Sequence, residues 1–303
     1  MPDRSDMGTY LPEYKGKRSF DMSGDKSLAA KLLQIFDIFL LPKIIWKNRE
    51  LLKQFVLRNI NSRYRGSFLG LLWSFVQPLM MLCVYTFVFS VIFKARWGVD
   101  TGGSRGAFAI IMFCGMALFN IFSESVNAAC GVISGNPNFV KKVIFPLEIL
   151  PAAQTGACFI LGTVWFILLF LGVVFIYGKL SFTMLLLPLV LLPHFLFTLG
   201  ISYFVSSLGV YVRDTPYAVG VILQILFFMT PIFYPIQAIP EQYRWPLQMN
   251  PLTILIDEAR KVFLYGELPN WKFLGLAFVV SLIVLQLGFV WFSRTKKGFA
   301  DVL

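Results

Sequence analysis

Between residues 50 and 65 apolar side chains recur at helical spacing. Leu52, Phe55, Val56, Ile60 and Tyr64 take one side, and Lys53, Arg58, Asn61 and Arg65 take the other. The pattern predicts a basic amphipathic helix, suited to a membrane interface plane. It feeds into a run from Gly66 to Phe93 that carries no charge. At about 1.5 Å per residue that run can cross roughly 30 Å of hydrocarbon with tilt to spare.

Five more apolar segments follow. The pattern predicts spans near 67–93, 107–134, 150–177, 182–211, 217–233 and 272–293. Six crossings put both termini on the same side. Nineteen Lys and Arg then fall in the inner segments and eight outside, which makes the inner side cytoplasmic. The N-terminal tail dominates that count, but the inner loops and the C-terminus supply six of the nineteen.

Residues 1–49 read as a polar tail followed by an interfacial stretch, in which Asp37 and Pro42 interrupt the apolar run. The tail has no apolar core of the kind found in cleaved signal peptides. Residues 50–66 are the amphipathic helix, and 67–303 are the six-span domain. Between spans five and six, residues 235–270 predict two short helices that dip in from outside. The second sets Leu252, Leu255, Ile256, Ala259 and Phe263 against Asp257, Glu258, Arg260 and Lys261, read as a solvated face. The fold class is therefore an all-α polytopic membrane protein.

Composition agrees. The chain is 57% hydrophobic and 14% charged, against about a quarter charged in soluble domains. The net charge of +11 is concentrated early, with thirteen of the 27 Lys and Arg before Gly66. That placement points to anionic lipid rather than nucleic acid. Cys83, Cys114, Cys130 and Cys158 lie inside apolar segments without metal-ligand spacing and read as small buried residues.

Three polar features stand out. Glu124 is the one carboxylate deep in a span, with Asn120, Ser123 and Asn127 on its face. It marks either a bundle interior or a wet cavity. His194, Thr198, Ser202 and Ser206 form a stripe at four-residue spacing, which serves helix packing or lines a water path. The inner loop GNPNFVKKVIFPLEILP (135–151) is too apolar for a plain connector. Phe139, Val143 and Phe145 beside Lys141 and Lys142 read as a knob for a pocket in another protein, or as a helix resting on headgroups.

Catalytic signatures are missing. The chain has no GxxxxGK[ST] phosphate loop, no HExxH and no CxxC. Asp257 and Glu258 are adjacent, so on a helix they diverge by about 100° and form no facing acid–base pair. No inverted repeat relates the two halves.

The order and spacing of several strings carry a resemblance. They are LRNINSRYRGSFLGLLWSFVQPLMMLCVYTFVFS (57–90), NPNFVKKVIFPLEILP (136–151), YVRD (211–214), TPIFYP (230–235) and NPLTILIDEAR (250–260). Together they resemble the membrane subunit of type-2 ABC exporters that move bacterial polysaccharides across the inner membrane. The resemblance covers nearly everything after Leu51. The chain departs from the pattern at Leu147, where a basic residue often precedes the Glu.

The resemblance implies a homodimer paired with two copies of a separate cytoplasmic ATPase. ATP and Mg would sit on that partner, and this chain would carry no cofactor. Asn138, Phe139, Lys141, Lys142, Phe145 and Pro146 would form a coupling helix between spans two and three. Arg58, Arg63 and Arg65 would belong to the interface helix, and 235–270 would be external gate helices. A polymer would pass between the two copies along spans one and five. Trp73, Phe75, Gln77, Tyr85, Gln224, Phe228 and Tyr234 are the channel candidates, since a sugar polymer needs aromatic faces and few trapping charges. The alternatives are an exporter of a small drug or lipid, or a non-ABC membrane enzyme or scaffold of polysaccharide assembly.

Overall fold

The computed structural model describes residues 40–63, 65–92, 105–141, 145–178 and 180–303. Among them every regular element is helical. Two short inner helices come first, α1 (Leu40–Lys47) and α2 (Arg49–Arg63). Gly66 follows at φ 87°, a left-handed turn that a side chain would strain, and the path bends from the interface into the first span.

That span is a turn of 3-10 helix, Gly70–Leu72, then α3 (Trp73–Thr86), which passes into a π-helical stretch at Phe87–Ile92. The next spans are α4 (Arg105–Cys130) and, after the one-turn α5 (Pro137–Val140), α6 (Ile149–Tyr177). A 3-10 turn at Phe182–Leu186 leads into α7 (Leu187–Tyr211). Among the described residues five helical stretches are long and apolar enough to cross a membrane, the last being Trp271–Val302.

The segment predicted as the fifth span behaves differently. Its helix, α8 (Thr215–Met229), has 15 residues, about 22 Å at the α-helical rise. It starts at Pro216 in the first turn and stops before the Thr230–Pro235 bend, where two prolines prevent continuation. The first predicted gate helix is a series of single turns, Ile236–Ala238, Glu241–Tyr243 and α9 (Trp245–Gln248). The second is regular. It is α10 (Pro251–Arg260), capped by the Asn250 side chain and continued as a π-helical stretch at Lys261–Tyr265. The last crossing is α11 (Trp271–Thr295), and the chain ends in α12 (Phe299–Val302).

Coverage by the rest of the chain is very uneven. α4 is the central helix, 83% buried over its apolar window, whereas the first span is 11% buried. Cys83 is accordingly exposed on α3, contrary to expectation, while Cys114, Cys130 and Cys158 are buried. α7 and α11 touch backbone to backbone. A Cβ built on Gly288 would lie 2.0 Å from the Gly200 carbonyl oxygen, so only glycine fits there. The polar stripe on α7 is fully buried, and Thr198 donates back to the His194 carbonyl at 2.7 Å. Its position is that of packing between helices, not of a water path.

A second apolar cluster closes the inner end. Phe55 of α2, Ile133, Leu150, Tyr203, Phe292 and Phe299 meet there, so both short inner helices and the C-terminal turn rest on the ends of the spans.

Candidate functional site

The inner face is organised by three phenylalanines. Phe55 projects from α2 and is buried. Phe139, in α5, stands 5.3 Å from it between ring centroids, and Phe145 stands 5.5 Å away. Phe139 and Phe145 stack on each other at 4.6 Å. The Arg58 guanidinium lies 4.2 Å above the Phe55 ring and 5.9 Å from that of Phe139. Arg58 Nη2 also donates a long hydrogen bond to Asn136 Oδ1 at 3.5 Å. Each aromatic pair contributes about 0.5–1.5 kcal/mol beyond its buried area. α2 and the 136–146 segment are thereby tied together through these rings.

The local sequence explains the geometry. Asn136 folds its side chain back onto the Val132 carbonyl at 2.8 Å and ends the preceding turn. Pro137 then opens a single helical turn, which turns Phe139 toward α2. Phe139 and Phe145 therefore spend part of their surface on Phe55. Asn138 and Lys141 are the exposed members of the candidate set, Pro146 is half-buried, and Lys142 lies outside the described residues.

Two ion pairs lock this unit to the spans. Arg63, at the end of α2, pairs with Glu124 of α4. The pair flanks a cleft of about 40 Å³ lined by Ser74, Gln77, Asn120 and Trp165, room for about one water. Glu124 is thus a tie between the interface helix and the central span, beside a water-sized cleft. Arg58 and Arg65 are exposed, and Arg65 sits at the bend into the span.

The second pair joins Glu148 to Lys296. Glu148 is buried just before α6, where the N-terminal end of the helix favours a negative charge. The Tyr203 hydroxyl donates to its backbone carbonyl at 2.9 Å. The Glu that follows Leu147 is therefore committed inside the chain. Lys296→Met should destabilise the protein by about 1–3 kcal/mol, below the value for a fully buried pair because Lys296 is about one-third exposed. Thermal unfolding in detergent measures it, and Glu148→Gln introduced into Lys296→Met should recover part of the loss.

The channel candidates separate into two groups. Trp73, Phe75 and Gln77 of α3 are exposed, as are Gln224 and Phe228 of α8. Trp73 Nε1 donates to Ser67 Oγ at 3.0 Å, which fixes the ring at the bend. Tyr85 is different. It sits among Phe89, Phe227 and Phe233, with Phe89 and Phe233 stacked at 4.5 Å and 12°. Tyr234 donates to the Phe228 carbonyl at 2.6 Å and closes the end of α8. Tyr85 is a strut between α3 and α8, while Tyr234 ties the bend after α8 back to that helix.

Sequence reasoning missed the outer lock. Arg260 and Glu258 were expected on a solvated face, yet each is 2% exposed. Arg260 donates to the carbonyls of Ile111 (3.3 Å), Pro231 (2.9 Å) and Ile232 (3.2 Å), and to Asp257 Oδ1 (3.3 Å). Gly115 makes room for it, since a Cβ there would come within 2.8 Å of Nη2. Glu258 accepts from Lys261 Nζ and from the Asn270 backbone, both at 2.7 Å. Burial raises the Asp257 carboxyl above its usual range, against the opposing pull of Arg260 and Lys261. The signal was present in TPIFYP. A helix broken there leaves inward carbonyls that need a donor, and an Arg fork can serve several at once.

Comparison with known proteins agrees with this architecture. Residues 50–264 match the family model described as ABC-2 type transporter. The O-antigen export system permease protein RfbA of Myxococcus xanthus is 30% identical over 267 residues, 86% of this chain and 98% of its own length. An RfbA of Klebsiella pneumoniae is 28% identical over 252 residues, 81% of this chain and 92% of its own. The polysialic acid transport protein KpsM of Escherichia coli is 25% identical over 244 residues, 80% and 91% of the two chains.

Proposed function

This chain belongs to the ABC-2 type transporter family, and from that premise we propose that it is the membrane subunit of an ATP-driven exporter of a lipid-linked polysaccharide. It works in the bacterial inner membrane as a homodimer. Two copies of a separate cytoplasmic ATPase bind ATP and Mg and drive it. The relatives named for O-antigen and polysialic acid transport support the polymer as substrate. No observation favours a small-molecule exporter or a membrane enzyme over this reading.

One observation carries the placement of the pathway. The spanning helix least covered by its own chain is the first, and the neighbouring α8 exposes the amide of Gln224. A primary amide facing lipid without a partner costs on the order of several kcal/mol. Those faces therefore look onto the second copy and a hydrated path. Phe228 shares the Gln224 face one turn on, and Trp73 and Phe75 are exposed on α3, available to stack on sugar rings.

α8 together with the bent 230–235 segment makes the sixth crossing, a short helix completed by irregular backbone buried in protein. With it, both termini lie in the cytoplasm. α10 and the turns before it form the re-entrant pair at the outer mouth. ATP-driven closure of the partner pushes on Asn138, Lys141 and the Phe139–Phe145 stack. Because that stack rests on Phe55, the push moves α2, and Arg63 passes it to Glu124 in the central span. The two bundles rotate against each other.

The pathway is tested with single cysteines in a cysteine-free chain. Cysteine at 224 should react readily with a membrane-impermeant maleimide and cross-link two copies. Cysteine at Leu171, exposed on α6, should do neither. Equal reactivity at the two positions would place α8 against lipid and end this reading of the path.

A further inference from the structure

The outer flank holds a half-open cavity of about 600 Å³ that the α3–α8 path does not use. Its walls are the 235–237 segment, Gln248, one side of α10, the Lys261–Tyr265 turn and the outer end of α11. Resting on the polysaccharide-export reading, we propose that this cavity is a binding site for uncharged saccharide units of the emerging polymer.

Size, charge and lining chemistry converge on that ligand. The volume falls within the range of about 300–1,000 Å³ typical of small-molecule sites. The charged groups at its wall balance, Asp257 and Glu258 against Arg260 and Lys261, and they are already paired with one another. A cavity with no net charge, its cations already paired and the half-exposed Asp257 carboxylate at its edge, gives phosphate headgroups and acidic sugars little attraction. The same carboxylate accepts hydrogen bonds from sugar hydroxyls.

Three further groups complete a sugar site. Gln237 and Gln248 are exposed and bring amides that both donate and accept. Thr253 stands in the wall, 3% exposed, with its hydroxyl buried just behind the surface and without a hydrogen-bond partner in the chain. A buried hydroxyl left unsatisfied is destabilising, and a ligand hydroxyl reaching the wall would relieve it. Tyr265 and Phe273 supply ring faces for the apolar side of a pyranose. The 235–237 and 251–265 segments flank the outer end of α8, so a site here would receive the chain as it leaves and hinder its return.

The test uses the full chain with its ATPase partner in lipid nanodiscs. The probes are a panel of neutral gluco-, manno- and galacto-hexaoses, an acidic hexagalacturonate and phosphatidylglycerol, followed by saturation-transfer NMR. At least one neutral hexaose should bind saturably, and hexagalacturonate about tenfold more weakly or not at all. Gln248→Ala, at the exposed rim, and Thr253→Val, nearly isosteric, should each weaken binding about fivefold. Phe273→Ala should act similarly. Absence of saturable neutral binding, binding unchanged in all three variants, or phosphatidylglycerol retention abolished by them would each overturn the proposal. Deleting the gene and scoring surface polymer tests export separately. Polymer that still reaches the surface, with hexaose binding intact, would sink the export reading alone.

Discussion

Replacing Arg260 with methionine should destabilise the protein by about 3–5 kcal/mol, the range for breaking a buried charged group out of its network. The reasons lie in the partners. One guanidinium serves the Ile111, Pro231 and Ile232 carbonyls and one oxygen of Asp257. Methionine fills the volume and leaves all four acceptors without that donor. Lysine should not rescue, because a point charge with no planar fork cannot span three carbonyls on two different segments. Gly115→Ala should reproduce a milder form of the defect by crowding Nη2. The measurement is the denaturation midpoint in detergent, expected to fall by roughly 10 °C for Arg260→Met. A midpoint within about 2 °C of the parent would show that the outer lock contributes little.

The second large effect is functional rather than structural. Phe145→Asp should cut polymer export by about tenfold or more while the partner's basal ATP hydrolysis continues. The substitution removes two ring contacts, to Phe55 and Phe139, and sets a carboxylate within the stack. At about 0.5–1.5 kcal/mol per pair, losing both is enough to free the coupling segment from the interface helix. Phe145 is only half-buried, so the spans should still fold. Phe55→Asp should give the same phenotype from the other side of the stack, although Phe55 belongs to a different helix. Asn138→Ala, on the exposed turn, should reduce export less than Phe145→Asp does, because the Phe139–Phe145 stack stays intact. Surface polymer and ATP turnover measured on the same membranes separate uncoupling from loss of assembly.

Much of this was legible in the sequence, for a simple reason. A span is a one-dimensional signal. Length, apolarity and lack of charge together place a helix to within a few residues, as at Ile149–Tyr177 and Phe182–Tyr211. The helix before Gly66 and the single turn after Pro137 were readable too, from local helix and turn chemistry. What could not be read was which charged side chains turn inward. Asp257, Glu258, Arg260 and Lys261 look like a wet face because helical periodicity groups them. Arg260 and Glu258 are drawn inward by partners far away in the chain, the acceptor carbonyls at 111 and 231–232 for Arg260 and the donor N–H of Asn270 for Glu258. Glu148 and Lys296 are nearly 150 residues apart, so no local pattern pairs them.

The same limit applies to the channel candidates. Tyr85 and Gln77 sit on one apolar run, and hydropathy cannot say which of them faces a neighbour. The structure separates them by packing. Tyr85 meets Phe227 and Phe233, and Gln77 stays exposed. The fifth apolar segment is helical over Thr215–Met229, shorter than the span the pattern implied. Pro231 and Pro235 end it regardless of how apolar Ile232 and Phe233 are.

The central claim is that residues 136–146 face the cytoplasm and carry force from a nucleotide-hydrolysing partner. The most direct measurement is the reactivity of a single cysteine at Asn138 in oriented membrane vesicles, with and without that partner. The account predicts labelling by an impermeant reagent only from the cytoplasmic side, and strong protection once the ATPase is bound. Labelling from the outside, or a rate that the ATPase leaves unchanged, would contradict it.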